Sequence, residues 1–438
     1  MNSKKILIKN GHVVDSQSIS KKDILINNSI IESIGENLNV NCDKIIDAQG
    51  LYIMPGGIDP QVHFREPGLT HKETIESGSR AAVAGGITSF FEMPNTKPAT
   101  ITSELLEAKF EIASKTSVAN FSFFLGATPD NFEEVSNMKG NCGLKIFMGS
   151  STGDLLVDND KALDEIFRVC NKIVAVHAED EDILKKSAAE VKGTKPTDHP
   201  AMRPVEAAVA ATQKAIDCAI KYKKRLHILH LSTAEEVDII RKYKDTNLIT
   251  AETTPQHLLL HAPEIYEEIG AFAQMNPPIR EKYHKKGLWE GLLDGTINCI
   301  ATDHAPHTIE EKKLPFGQSP AGMPGVETSL PLMLNHTHKS NIDIKHIVKW
   351  MCENPAKIYN IKNKGYLREG YDADITLVDL NKEKVVSGKN MQSKCGWSAF
   401  DGKTLKGWPV MTIVNGNVVF ENEQINDEIK GKKVIFDE

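Results

Sequence analysis

Eight short apolar runs lie between residues 55 and about 310, and most are separated by a segment with helical periodicity. Each run is continuous rather than alternating and ends in polar or glycine-rich residues, which is typical of parallel strands that are covered on the outside. Eight strand-helix units are what a (β/α)8 barrel, or TIM barrel, requires, so we predict an α/β barrel over residues 55–365. The runs are GGIDPQVHF, GITSFFEMP, ANFSFFLGAT, GLKIFMGSS, KIVAVHAED, RLHILHLST, NLITAETTP and NCIATDHAP.

A doubly wound open sheet is the alternative, because it also alternates strands with helices. No GxGxxG motif follows the first run, so the dinucleotide-binding form of that sheet is not favoured. Segments with a helical pattern, such as RPVEAAVAATQKAIDCAIKY and TAEEVDIIRKY, supply the helices that the barrel needs.

Both ends of the chain have a different pattern from the middle. KKILIKNGHVVD and KDILINNSIIESIG alternate apolar and polar residues around Asn-Gly or Asn-Asn, which is typical of hairpins, and IKNGHVV at 8–14 resembles IVNGNVV at 413–419. We therefore predict that residues 1–54 and 366–438 form one small composite β-sandwich domain into which the barrel is inserted. The charged final residues, 426–438, are expected to form a loosely held tail.

Composition points to a small-molecule ligand. The net charge of -7 and the absence of a long basic run argue against nucleic acid or an anionic membrane as the main partner. Seven scattered cysteines without a CxxC pair are expected to be reduced and mostly buried. No signal peptide and no apolar stretch of about 20 residues is found, so a cytoplasmic location is predicted.

Potential metal ligands and polar side chains end most of the eight runs. The active site of a TIM barrel lies at the carboxyl ends of its strands, so these side chains are expected to meet at one mouth. A lone histidine in such a place is usually a core residue, but three histidines and an aspartate from different strands predict a metal centre. The residues are His63, Arg65, Asn95, Lys145, His177, His230, Asp303, His304 and His307.

Lys145 lies among apolar neighbours in a strand that should be buried on both faces. A buried ammonium group is costly unless it is paired or neutralised. One interpretation is a lysine that reaches to the mouth of the barrel or forms an ion pair there. The other is a free amine that reacts with carbon dioxide to form a carbamate whose two oxygens bridge two cations.

Imidazole and carboxylate ligands favour zinc, with other first-row ions as alternatives. Two ions about 3.5 to 4 Å apart would lower the pKa of a bridging water and polarise a carbonyl group. Asp303 would then act as both ligand and proton shuttle, returning the proton of the attacking hydroxide to a leaving nitrogen. The predicted reaction is hydrolysis, or its reverse, at an amide-like carbon.

Ten motifs, taken in order, resemble those of the dihydroorotases of the cyclic amidohydrolase superfamily from about residue 50 to 410. HFREPG with MPNT and ATDHAPH is specific to that group. The resemblance implies reversible cyclisation of N-carbamoyl-L-aspartate to (S)-dihydroorotate in de novo pyrimidine (UMP) biosynthesis, and a homodimer. The motifs are DPQVHFREPG, GGITSFFEMPNTKP, GLKIFMGSSTG, VHAED, HLST, ETTPQH, MNPPIR, ATDHAPH, NPAK and KCGWSAFDG.

The resemblance also implies roles for individual residues. His63, His177, His230 and Asp303 match the metal ligands, and Lys145 matches a carboxylated bridging lysine. Binding of the substrate carboxylate is implied for Arg65 and Asn95, with further substrate contacts from Asn276 and His307. The expected cofactor is Zn²⁺, with one or two ions per chain.

Gln61 departs from the family's usual His-x-His pattern. It faces the same way as His63, two residues later, but an amide oxygen is a poorer zinc ligand than imidazole. Three outcomes are open: a weak or water-mediated ligand in a two-metal site, one firmly and one loosely held metal, or an inactive protein. The last would be a non-catalytic scaffold for a partner such as aspartate transcarbamoylase.

Among enzymes, the alternative is a related cyclic amidohydrolase such as an allantoinase or a dihydropyrimidinase. Arg65 discriminates, because the neutral rings of those substrates carry no carboxylate for it to bind. Two other histidines are not expected to be catalytic. His227 should face away from His230 in its strand, and His199 should be exposed in a mobile loop over residues 192–204.

Overall fold

The computed structural model describes residues 4–149 and 155–437, so the SSTG end of the GLKIFMGSSTG motif, residues 150–153, lies outside the described part. Its centre is a sheet of eight parallel strands in sequence order, and the prediction of a TIM barrel is confirmed. The strands are β6 (Gly57–Val62), β7 (Ile87–Glu92), β8 (Asn120–Gly126), β9 (Gly143–Phe147), β10 (Val174–His177), β11 (Leu226–Ile228), β12 (Ile249–Thr253) and β13 (Cys299–Ile300).

The first and eighth strands of this sheet meet through the residues that follow them. Val62 forms a parallel bridge with His304, and the amide of His63 donates to the carbonyl of His304 over 2.7 Å. The contact brings the metal-ligand candidates of the first strand beside Asp303. Closure of the barrel therefore unites residues that lie about 240 positions apart in sequence.

The helices of the described chain cover the outside of the barrel and its loops. Several begin at a side-chain cap that satisfies a free backbone amide, as Thr74 does for Ser77 and Thr233 for Glu236. The α-helices are α1 (Ile75–Ala84), α2 (Ser103–Thr116), α3 (Phe132–Asn137), α4 (Asp160–Val169), α5 (Glu181–Val191), α6 (His199–Met202), α7 (Val205–Tyr222), α8 (Ala234–Arg241), α9 (Pro255–Leu259), α10 (Glu264–Ile269), α11 (Lys282–Asp294), α12 (Ile309–Lys312), α13 (Ser329–Thr337), α14 (Ile344–Val348) and α15 (Asn354–Ile358).

Strands from both chain ends form the second domain, as predicted. They make one continuous mixed sheet in which β5 and β14 join the two ends, with Ile53 opposite Leu377. Isoleucines and other aliphatic residues from both ends share its core. The strands are β1 (Lys5–Val14), β2 (Ile19–Asn27), β3 (Ile30–Gly35), β4 (Lys44–Asp47), β5 (Tyr52–Pro55), β14 (Ile375–Val385), β15 (Thr404–Val414), β16 (Asn417–Glu421) and β17 (Gln424–Ile425).

The two Asn-Gly pairs of this domain have different structures. Asn415-Gly416 is a two-residue hairpin turn between β15 and β16, with both residues in the left-handed region. Asn10-Gly11 instead lies inside β1, at a shift of register against β2. The expected hairpin there is wrong: left-handed Asn10 makes a bulge, and a side chain at Gly11 would collide with Ile53.

The C-terminal segment is not the loosely held tail that its charge predicts. Its backbone pairs with β8, since the amide of Phe121 donates to Lys432 and that of Val434 donates to Phe121. Val434 is buried among the residues of the barrel interior. The backbone hydrogen bonds to β8 and the burial of Val434 therefore hold this segment in place despite its many charged residues.

All seven cysteines carry free thiols and five of them are buried, in line with the prediction for them. In the described part of the chain, no helix is both long and apolar enough to cross a membrane.

Candidate active site

One cavity lies at the carboxyl ends of the barrel strands, the end at which TIM-barrel enzymes have their active sites. Ten of the eleven side chains that the sequence predicts for the mouth of the barrel line it, and His304 does not, since its Nδ1 accepts from the amide of Gly325. Their positions agree with the prediction, and their chemical roles remain predictions. The ten are Gln61, His63, Arg65, Asn95, Lys145, His177, His230, Asn276, Asp303 and His307.

Three of these residues have left-handed backbone: φ is 65° at Arg65, 39° at His230 and 47° at Asp303. Each such non-glycine residue costs roughly 1–3 kcal/mol and is concentrated at functional sites in proteins. A regular strand would point His230 to the same outer face as Ile228. Its left-handed backbone instead lets its ring reach His177.

His177 and His230 present nitrogens to each other. Nδ1 of His177 lies 3.1 Å from Nε2 of His230, close to the separation of two ligands that each lie about 2.0–2.1 Å from a zinc ion. The other ring nitrogen of His177, Nε2, donates to the Glu179 carboxylate over 2.9 Å. This bond leaves a lone pair on Nδ1, the arrangement of a metal-binding histidine that is oriented by a carboxylate.

Arg203 completes this support. Arg203 is partly exposed and forms an ion pair with the buried Glu179, donating from Nε to both carboxylate oxygens over 3.2 and 3.1 Å. Burial alone would raise the pKa of Glu179, but the charge of Arg203 and the bond from His177 hold that pKa well below its usual range. Glu179 is therefore ionised and keeps His177 in one tautomer.

His63 and Asp303 meet on the other side of the cavity. Nδ1 of His63 lies 2.6 Å from the amide oxygen of Asn95, to which it donates, and Nε2 lies 3.0 Å from Oδ1 of Asp303. Nε2 of Gln61 donates to the same aspartate oxygen over 3.0 Å. Burial lowers the pKa of His63 despite the neighbouring carboxylate.

Lys145 is 1 % exposed, and its ammonium group lies 4.4 Å from the ring centre of Phe147. In the described chain it forms no ion pair. Burial lowers its pKa to about 7, although the charges of Asp303 and Glu252 oppose the shift. A substantial fraction of the side chain is thus a neutral amine near neutral pH, as the carbamate interpretation requires.

Arg65 is also buried, and no carboxylate of the described residues forms an ion pair with it. Its Nε donates to the carbonyl of Pro306 over 3.2 Å, and one terminal nitrogen lies 3.2 Å from Nε2 of His307. Burial lowers its pKa to about 10, so the guanidinium stays charged at neutral pH. A buried, unpaired charge that faces a cavity indicates an anionic ligand.

His307 and Asn276 line the same wall. Nζ of Lys72 donates to Nδ1 of His307 over 3.1 Å, and burial together with the charge of Arg65 lowers the pKa of His307 far below its usual range. The ring is therefore neutral beside Arg65. The amide oxygen of Asn276 is buried and finds no hydrogen-bond donor among the described residues.

The supporting residues Glu179 and Arg203 were not predicted from the sequence. Glu179 follows His177 by two positions in VHAED, which was a usable signal, since alternate residues of a strand share a face. Nothing local pointed to Arg203. The expected exposure of His199 is wrong: residues 199–202 form α6, and the buried His199 ring donates to the carbonyl of Met275 over 3.0 Å.

His227 also differs from expectation. It pairs in register with Ala175, which pairs with Lys145, so it points into the barrel like Lys145, while the left-handed turn brings His230 inside as well. His227, Glu252 and Cys299 place donor atoms within 4.8 Å of one another, a possible metal-binding group. Nε2 of His227 already lies 3.0 Å from Glu252.

Comparison with known proteins decides the family. The sequence profile of the amidohydrolase family matches residues 52–419. The chain belongs to the amidohydrolase family. This confirms the predicted class of enzyme, a metal-dependent cyclic amidohydrolase.

The similarity of this amidohydrolase to curated proteins extends over nearly the whole chain. It is 37% identical to the dihydroorotase of Methanosarcina acetivorans over 437 residues, which covers 96% of this chain and 93% of that protein. It is 36% identical to the dihydroorotase of Pyrococcus abyssi, with 97% and 96% covered, and 38% identical to that of Lactococcus lactis, with 95% and 99% covered.

Solved structures share the fold of the amidohydrolase. The L-hydantoinase (dihydropyrimidinase) of Arthrobacter aurescens superposes with a TM-score of 0.93 at 32% identity, covering 96% of this chain and 97% of the other. The D-hydantoinase (dihydropyrimidinase) of a Thermus species gives 0.88 at 27% identity, with 97% of each chain covered. Both the barrel and the terminal β-domain are therefore shared with hydantoinases.

Proposed function

We propose that the chain is a dihydroorotase, which interconverts N-carbamoyl-L-aspartate and (S)-dihydroorotate. The observation that carries the proposal is the buried guanidinium of Arg65, which faces the cavity without a carboxylate partner in the described chain. Dihydroorotate brings such a partner in its ring carboxylate, and the fork of arginine fits it with two parallel hydrogen bonds. The curated relatives named dihydroorotase support the same activity.

The other polar side chains of the wall complement the ring. The unpartnered amide oxygen of Asn276 is an acceptor for a ring N–H group. The neutral imidazole of His307 borders Arg65 without adding a second positive charge. The amide of Asn95, beside His63, is placed to donate to the substrate carboxylate. Together these groups orient the ring with its reacting amide towards Asp303.

The donor set fits a divalent metal, and zinc is the ion that the imidazoles and carboxylate favour. His177 and His230 direct facing nitrogens into the cavity, Glu179 fixes the tautomer, and Nδ1 of His230 has no partner among the described residues. Lys145, as a carbamate, would add an anionic oxygen ligand. The metal would polarise the substrate carbonyl and lower the pKa of a water molecule.

Asp303 moves the proton. During hydrolysis its carboxylate accepts a proton from the attacking water as the new C–O bond forms. It then donates that proton to the ring nitrogen as the C–N bond breaks, which yields the ureido group and a new carboxylic acid that releases the second proton of the water to solvent and becomes a carboxylate. Cyclisation reverses these steps, with loss of water. The carboxylate lies beside His63, 3.0 Å from its Nε2.

Replacing Asp303 with asparagine tests this role. The new side chain would keep an oxygen for Gln61 to donate to, but an amide cannot accept the proton, so we expect kcat to fall by about a thousandfold. Metal content, measured by elemental analysis, should change little. Loss of the metal from Asp303→Asn would instead show that Asp303 acts mainly as a metal ligand. An unchanged kcat would contradict its role in proton transfer.

Carboxylation of Lys145 predicts a dependence on pH. The free amine reacts with carbon dioxide and releases one proton as the carbamate forms, and a pKa of about 7 makes this amine the main form above neutral pH. Metal-free enzyme should therefore regain activity with zinc and bicarbonate faster at pH 8 than at pH 6. The rate should rise about tenfold per unit below pH 7 and level off above it, after correction for the dissolved carbon dioxide. Recovery of activity at a rate that does not depend on bicarbonate would exclude the carbamate.

The primary test of the proposal is a steady-state assay of dihydroorotate hydrolysis and of the reverse cyclisation, with metal content per chain measured in parallel. Turnover of both compounds supports the assignment. No turnover in either direction with metal supplied would favour the scaffold interpretation, and a binding assay with aspartate transcarbamoylase would then test it.

A hydantoinase or dihydropyrimidinase is the second candidate, because the solved structures named above share the whole fold. Neutral hydantoin and dihydropyrimidine rings would leave the charge of Arg65 without a partner. Hydantoin turnover that exceeds dihydroorotate turnover in kcat/KM would establish this alternative.

A homodimer and an association with aspartate transcarbamoylase are the partners that the family resemblance predicts. Light scattering after size-exclusion chromatography, with the enzyme alone and mixed with the transcarbamoylase, tests both.

A further inference from the structure

We infer that the chain holds one tightly bound divalent ion, at His177, His230 and Lys145, and that Gln61 replaces a second ion by hydrogen bonding to Asp303. The inference concerns the site of the proposed function and rests on that function only for its kinetic consequence. The two sides of the cavity differ in their side chains: one has two facing imidazoles, and the other has an amide that donates to Asp303.

The side that His177 and His230 form is ready for a cation. Their facing nitrogens, 3.1 Å apart, both belong to imidazoles, and the hydrogen bond from His177 to Glu179 leaves the facing nitrogen of His177 unprotonated. Arg203 holds Glu179 in place. Two nitrogens that face each other in this way are most stable with a positive ion, or one proton, between them.

On the side that Gln61, His63 and Asp303 form, an amide group of the chain itself already donates to the aspartate. Oδ1 of Asp303 accepts the amide N–H of Gln61 over 3.0 Å and lies 3.0 Å from Nε2 of His63. An amide NH₂ group is a donor only, so it repels a cation bound to the same oxygen. Gln61 therefore occupies with its own hydrogens the position where a cation would contact Asp303.

Turning the amide of Gln61 does not restore a good metal site. Its oxygen would then lie near Oδ1 of Asp303, and two acceptors at such a distance repel each other. In the observed orientation that oxygen is buried and has no donor among the described residues. A neutral amide oxygen is also a weaker ligand for zinc than the imidazoles across the cavity.

Gln61 is thus a positioning residue for Asp303. It engages one carboxylate oxygen, Oδ1, and leaves Oδ2 as the oxygen available for proton transfer.

Metal content tests the inference without any substrate. Protein loaded with zinc and bicarbonate is passed through a desalting column, and zinc per chain is measured by elemental analysis. We expect one ion in the wild type and in Gln61→Leu, and two in Gln61→His. Gln213→His, on the outer helix α7, is the matched control and should retain one ion.

A magnetic measurement gives a second readout. In manganese-loaded protein, electron paramagnetic resonance should show an exchange-coupled pair of ions in Gln61→His and isolated ions in the wild type. Two tightly held ions in the wild type, or loss of an ion in Gln61→Leu, would make Gln61 a ligand and overturn the inference. An unchanged single ion in folded Gln61→His, judged by circular dichroism, would overturn it too.

Measurements of kcat and KM distinguish a role of Gln61 in positioning Asp303 from a role in packing alone. Gln61→Leu should lower kcat by about tenfold with little change in KM, because a hydrogen bond to a charged group is lost. Gln61→Asn with a shorter amide should not restore the rate, whereas Gln61→His with two metals should recover much of it. If dihydroorotate is not a substrate, the metal counts still decide the inference, so its failure and that of the proposed function are distinguishable.

Discussion

Replacing Lys145 with alanine is expected to remove the tightly bound metal and to lower kcat/KM by at least about a thousandfold, which corresponds to about 4 kcal/mol. Lys145 is buried in the cavity without an ion pair in the described chain, and a carbamate on it would be the anionic ligand between the two sides of the site. Elemental analysis and the dihydroorotate assay measure the two effects.

Chemical rescue distinguishes a lost ligand from a damaged fold. A short carboxylic acid such as acetate or propionate fits the space that the side chain leaves and should restore part of the activity and the metal of Lys145→Ala. Lys109→Met is the matched control, because Lys109 is equally buried but pairs with Glu92. It should lose stability and keep its metal. Full metal and activity in Lys145→Ala would reduce Lys145 to a buried cation without a role in catalysis.

Replacing Arg65 with methionine should lower kcat/KM for dihydroorotate by about a thousandfold, since loss of a buried charge that pairs with a ligand costs roughly 2–5 kcal/mol. Methionine keeps much of the volume of the side chain and removes the fork that would bind the carboxylate. Activity on a neutral hydantoin, if the wild type shows any, should change by less than about tenfold. Parallel steady-state assays of the two compounds measure the ratio.

Lys72→Met is the control for this substitution. Lys72 lies beside the same wall and contacts His307, but it forms an ion pair with Glu311. It should affect both substrates modestly and alike. Equal losses for dihydroorotate and hydantoin in Arg65→Met would remove the basis of the substrate assignment and favour the second candidate.

The order of the strands was sufficient to predict where most of the lining residues would meet, whereas Asn276, which lies in none of the eight runs, was assigned only through the family resemblance. Parallel strands place their carboxyl ends at one mouth, so residues such as His63, His177 and Asp303 could be assigned to the same cavity from their positions in eight successive runs. The pairing of the two chain ends in one β-domain was predictable for a similar reason, since alternating strands need partners for their edges.

Local deviations of the backbone were not predictable in this way. Strand periodicity sends His230 outwards, and only the left-handed turn at that residue, supported by the packing around it, brings the ring to His177. Asn10-Gly11 has the composition of a hairpin turn and lies in a bulge. At both sites a non-glycine residue has a left-handed backbone, which costs roughly 1–3 kcal/mol. Tertiary contacts compensate for that cost, and local propensity does not reveal them.

The sequence by itself thus determined the barrel, the composite β-domain and the ring of candidate ligands, because each depends on the order and spacing of residue types. The tertiary structure decided which atoms face each other: that Arg203 supports Glu179 behind His177, that the C-terminal segment pairs with β8, and that Gln61 donates to Asp303. These contacts join residues far apart in sequence, and their geometry depends on the closure of the barrel rather than on any local pattern.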